Sequence, residues 1–106
     1  MAKYMYQVNY VGDGVKGLMK EGGSGRRAAA IKAVKSLGGK VEGFYFAFGR
    51  YDAYLIVDMP DNASATSLAL NVNMSGAVTV NTVPLLTAEE VDAAAKKKMA
   101  YRAPGK

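Results

Sequence analysis

Residues 3–11, Lys-Tyr-Met-Tyr-Gln-Val-Asn-Tyr-Val, are rich in Tyr and Val and alternate in polarity, which predicts a strand. Residues 12–25 hold six glycines (Gly12, Gly14, Gly17, Gly22, Gly23, Gly25) around a short apolar patch at Val15, Leu18 and Met19. That density of glycine predicts a long loop with at most one helical turn. Ser24 can cap a helix from about Arg26 to Leu37, whose apolar stripe is Ala30, Ala33, Val34 and Leu37. Gly38-Gly39 ends it as a left-handed C-terminal cap requires. Residues 40–49 and 52–59 read as two further strands joined at Gly49-Arg50-Tyr51. Pro60-Asp61-Asn62 opens a second helix with the stripe Ala65, Leu68, Ala69 and Val72, stopped by Gly76. Residues 77–86 give a fourth strand, and Thr87-Ala88-Glu89-Glu90 is a capping box for a third helix to about Lys98.

The order βαββαβ with an added helix predicts an α+β, ferredoxin-like sandwich, a four-stranded antiparallel sheet with two helices on one face. In a monomer the other face of such a sheet is polar. Here the first strand sets Tyr4, Tyr6, Val8 and Tyr10 against Met5 and Val11, and the third sets Leu55 and Val57 against Tyr54 and Ile56. The second strand sets Val41, Tyr45 and Ala47 against Phe44, Phe46 and Phe48. Both faces therefore carry apolar or aromatic groups, and a second copy of the sheet is expected to cover the open one in a homodimer or higher oligomer.

Composition narrows the chemistry. With no Cys, His or Trp among 106 residues, disulfides, thiolate and imidazole catalysis and the usual zinc or haem ligands are excluded. The nine carboxylates show no calcium-loop spacing, and neither a metal nor a cofactor is expected. The net charge of +5 comes from Lys96, Lys97, Lys98, Arg102 and Lys106, because residues 1–95 balance nine basic against nine acidic groups. A neutral body argues against nucleic acid as a partner, and the division expected is one domain over residues 1–95 with a basic tail over 96–106. No apolar run is long enough to span a bilayer and no signal-peptide core is present, so a cytoplasmic protein without a membrane partner is expected.

Gly12-Asp13-Gly14-Val15-Lys16-Gly17 matches the glycine spacing of dinucleotide loops. Gly22-Gly23 follows too soon for the required helix, and no acidic residue lies between Glu21 and Glu42, so the match carries no nucleotide site. Gly49-Arg50-Tyr51-Asp52 is more distinctive. Asp52 can cap its own turn, or a Tyr–Asp pair at a strand end can orient a polar ligand.

The run from Phe44 to Asp61, with its aromatic strand, the Gly49-Arg50-Tyr51-Asp52 turn, an apolar strand and Asp58-Met59-Pro60-Asp61, resembles the core of the GYD domain family. Gly14–Lys20, Arg26-Arg27, Leu37–Lys40 and Leu85–Glu90 extend the resemblance over about residues 3–95. That family looks related to the dimeric α+β barrels, which include cofactor-free monooxygenases, stress-response proteins and ligand-sensing domains. The resemblance implies sheet-to-sheet assembly and supplies no activity.

Three functions follow as expectations. The first is binding of a small, possibly anionic ligand between the sheet and the 12–25 loop, with Lys16, Lys20, Arg27, Tyr45, Arg50, Tyr51 and Asp52 as candidate contacts. The second is a cofactor-free oxygenase or isomerase using Asp52, Asp58 or Tyr45. The third is a protein-assembly module built on the sheet face and the basic tail.

Overall fold

The computed structural model describes residues 1–106. Its elements are β1 (Ala2–Tyr10), α1 (Asp13–Ser36), β2 (Lys40–Phe46), β3 (Ala53–Met59), α2 (Asn62–Met74), β4 (Val78–Leu85) and α3 (Ala88–Lys96). The strands form one antiparallel sheet in the order β2-β3-β1-β4. This is the expected α+β, ferredoxin-like arrangement. Pro84, which cannot donate to a ladder, lies in β4, an edge strand.

The register separates the two faces. Tyr4, Tyr6 and Val8 of β1 pair with Val57, Leu55 and Ala53 of β3, and these residues meet α1 and α2. With Val34, Met59, Ala65 and Leu68 they make the core. On the open face, Met5 stands between Ile56 and Val83, flanked by a polar row of Gln7 and Asn81. Lys3 on that face bonds both Asp58 and Glu42 at 2.8 Å, and these bonds, Asp58 first, hold its ammonium above the ordinary lysine value.

Two sequence expectations change here. The glycine-rich segment 12–25 is not a loop: α1 starts at Asp13 and runs to Ser36, broken only at Gly22, whose φ of 79° and ψ of 166° kink it. Ser24 therefore lies inside α1 and does not begin it. Glycine costs each helical position about 1 kcal/mol, but docking opposes that cost, since Gly14 lies against the backbone of Ala77 where no side chain fits. The second change is in β2, where a bulge between Val41 and Gly43 shifts the alternation by one. Val41 consequently pairs with Val57 and joins Phe44 on the core face, while Tyr45 points to the open side opposite Tyr54. Strand β2 also stops at Phe46, leaving Ala47 and Phe48 outside it.

Helix ends follow their local chemistry. At the end of α1, Gly38 (φ 81°) donates to the Lys35 carbonyl and Gly39 to that of Val34, both at 3.0 Å, which is a Schellman closure. Asp61 caps α2 by accepting from the Ser64 N–H at 2.7 Å, and this bond holds its carboxyl below the ordinary value. Thr87 and Glu90 complete the capping box of α3 in both directions.

Tyr6 joins the core to α2, its hydroxyl donating to the Ala65 carbonyl at 2.6 Å. Burial pushes its pKa up to about 12 from 10.0. A raised value means that folding favours the neutral phenol, so this contribution is complete below pH 10 and is lost as pH climbs through 12. We expect Tyr6 to ionise near pH 12, together with unfolding. Absorbance at 295 nm recorded alongside circular dichroism tests this, and Tyr6→Phe should remove that late step. A Tyr6→Phe protein whose high-pH titration matches the parent's, with the fold intact, would contradict it.

Candidate ligand-binding site

Small side chains on facing helices leave space above the core face of the sheet. After its kink, α1 presents Arg26, Ala29, Ala30 and Ala33 at helical spacing, and α2 presents Leu68, Ala69 and Val72. With Tyr6, Leu55 and Val80 beneath, they line a half-open cavity of about 100 Å3. Thirteen of its fourteen lining residues are hydrophobic, and Arg26 is the one charged group. A cavity of about 150 Å3 walled by apolar side chains stays dry and takes up benzene, so this space suits a compact apolar group.

Arg26 stands where the cavity meets a second hollow of about 220 Å3, lined by Asp13, Gly17, Glu21 and Ser75 among others; the two share Tyr10, Arg26 and Val78. Burial opposes the charge on Arg26, but the Tyr10 hydroxyl and the Glu21 carboxylate beside it outweigh this and raise its pKa. The guanidinium is thus a fixed cation, held by Glu21 at a loose 3.4 Å. Such a half-exposed ion pair contributes little, about 0–1 kcal/mol, and an incoming anion can replace it.

The seven candidate contacts do not share one site: Tyr45 and Tyr51 both neighbour Tyr54, with Arg50 on Tyr51, and the others lie apart from them. Lys16 and Lys20 are exposed on the first half of α1, and Lys16 reaches only Asp13, at 3.8 Å. Arg27 is exposed beside Phe44 and Phe46, one position away from the cavity stripe. Tyr45 is on the opposite face of the sheet. Arg50 packs over the ring of Tyr51 at 5.8 Å, and Tyr51 meets Tyr54 edge-on at 6.0 Å, a stack that leads toward the open face. Asp52 is a structural pin. Its carboxylate accepts from the Tyr10 N–H at 2.9 Å, its N–H donates to Val8 at 2.8 Å and its carbonyl accepts from Ala47 at 2.9 Å. These bonds tie the β2–β3 connection to the end of β1, and Asp52 touches the cavity only through Tyr10.

Arg26 is not among the candidate contacts expected from the sequence, although its spacing from Ala29, Ala30 and Ala33 puts it on one helix stripe with them. The signal for it is a cation on the same stripe as a run of alanines too small to fill the space beneath them.

No three Asp or Glu residues come together as a metal site, and no helix is long and apolar enough to cross a membrane. No curated protein and no solved structure matches the chain. The model of the GYD domain family matches residues 4–95, which include every strand but the first residues of β1 and every residue lining the cavity, and the chain belongs to that family.

Proposed function

We propose that the protein binds a small carboxylate with a compact apolar body, and that it does so as a homodimer paired through the open sheet faces. The observation that carries the ligand reading is Arg26, a permanent cation at the edge of an otherwise apolar cavity. The apolar group would occupy the space between α1, α2 and the sheet, while the carboxylate replaces Glu21 on the guanidinium. The ionisable groups at the cavity are Tyr6, Tyr10 and Arg26, and the Tyr6 hydroxyl already donates to Ala65. That inventory favours binding over acid–base turnover. Pairing of sheet faces is supported by the apolar row of Ile56, Met5 and Val83 and the exposed Tyr45.

Titration calorimetry with benzoate, against benzyl alcohol as the uncharged counterpart, tests the ligand reading. We expect benzoate to bind more tightly, and Arg26→Gln to weaken it roughly tenfold, the worth of one charge-assisted hydrogen bond. Lys16→Gln and Lys20→Gln should leave it unchanged. Equal affinity for the acid and the alcohol, or an indifferent Arg26→Gln protein, would sink the reading.

A further inference from the structure

The surface is too large for a protein of this mass. A compact monomer of 11.2 kDa exposes about 5,700 Å2, whereas this chain exposes 7541 Å2, an excess of about 1,800 Å2. Its radius of gyration is 16.9 Å, against about 13 Å for a compact domain of this length, and its long axis reaches 57 Å. The excess sits largely in one place. Every residue from Leu86 to Lys106 is exposed, and no residue of α3 is buried.

This arm is not built like a solvated tail. The capping box is closed at 3.0 and 3.1 Å, Glu89 and Glu90 fill the first turn and Lys96 the last. Leu86 and Val91 occupy the two positions of a hydrophobic staple, and Ala88, Val91 and Ala95 share a stripe. Leu86, Val91, Met99 and Tyr101 are each more than half exposed. A nine-residue helix is marginal in water by itself, so an element with these specific end caps implies a surface that covers its apolar side.

We propose that residues 86–101 pack on a second copy of this chain, each arm crossing to the other protomer. Two observations favour a second copy over another partner. The excess area per chain matches what each subunit of an obligate dimer buries, about 1,000–2,500 Å2. The arm leaves β4 directly after Val83 and Leu85, whose register puts them on the open face beside Met5 and Lys3. It is therefore continuous with the apolar strip already expected to meet a second sheet, and a two-fold axis through that strip gives both arms the same reach.

This arrangement rests on the second copy proposed above, and the test separates it from sheet pairing. Equal amounts of 14N- and 15N-labelled full-length protein are mixed, cross-linked through lysine and analysed by mass spectrometry. Hydrogen exchange of residues 86–101 and native mass are followed over a dilution series. We expect cross-links from Lys96–Lys98 that join light to heavy chains, and arm amides protected in the oligomer and released on dilution. The double variant Val91→Asp/Met99→Asp should weaken association at least thirtyfold with an unchanged body spectrum. A dimer whose arm amides stay unprotected, and which the double variant leaves intact, would overturn the arm exchange and keep the paired sheets. A monomer at every concentration would overturn both. Arm protection at all dilutions with same-chain cross-links alone, or protection gained only on adding duplex DNA or anionic vesicles, would also overturn it.

Discussion

Gly14→Ala is expected to lower the stability of the fold by about 3 kcal/mol, at the upper end of what overpacking costs, while Gly17→Ala three residues away should raise it by about 0.5–1 kcal/mol. Both glycines are in the first turns of α1. A methyl group on Gly17 meets nothing within 4 Å, so only the helix preference of alanine counts. On Gly14 the methyl would overlap the carbonyl oxygen of Ala77 and lie 2.7 Å from its carbon and 3.1 Å from its Cα. These are backbone atoms and cannot turn aside. The same carbonyl accepts the Val11 N–H at 2.9 Å, and the Gly14 N–H donates to Val11 at 2.8 Å. Three segments therefore meet at one point: the end of β1, the start of α1 and the approach to β4. Thermal unfolding should place Gly14→Ala roughly 12–20 °C below the parent and Gly17→Ala above it. Equal melting temperatures for the two variants would mean that α1 does not dock on Ala77.

That contact explains what was legible in the sequence and what was not. Strands, both later helices and the order of elements could be read because their signals are local: alternation in β1 and β3, Asp61 before α2, the capping box before α3. The Schellman closure at Gly38-Gly39 was equally local. The segment 12–25 is helical although the propensity of its glycines points to a loop. One of them, Gly14, is there for a close approach to a residue 63 positions away, and only Gly22 breaks the helix. The bulge in β2 was hidden for a similar reason. Glu42 and Gly43 do not announce which of them is the extra residue, and the shift shows only once Val41 is opposite Val57 and Phe44 opposite Leu55. Of the candidate contacts, Lys16 and Lys20 lie in the glycine-rich segment, Arg27 lies at the expected helix start, and Tyr45, Arg50, Tyr51 and Asp52 lie on or beside the second strand. Asp52 holds backbone together, and the cation beside the cavity is Arg26, adjacent in sequence to Arg27.

Filling the cavity should abolish binding more completely than removing its charge. Ala30 lines the space, is partly buried and packs against the core, so Ala30→Leu adds three carbon atoms to a volume of about 100 Å3. In a close-packed interior that change costs about 1–3 kcal/mol. Where the space is empty it costs nothing, or stabilises by about 0.5–2 kcal/mol. We therefore expect Ala30→Leu to melt at or above the parent temperature and to lose benzoate affinity at least a hundredfold, about 2.8 kcal/mol. The two variants then divide the site by chemistry. Arg26→Gln keeps room for the ring and loses the preference for the acid over the alcohol, whereas Ala30→Leu excludes both ligands alike. Retained benzoate affinity in a stably folded Ala30→Leu protein would place the ligand elsewhere, and a stability loss above about 2 kcal/mol would show that the space is not free. Because the cavity lies on the helix side of the sheet and the proposed pairing on the other, Ala30→Leu should leave the oligomer mass unchanged, which keeps ligand binding and assembly separately measurable.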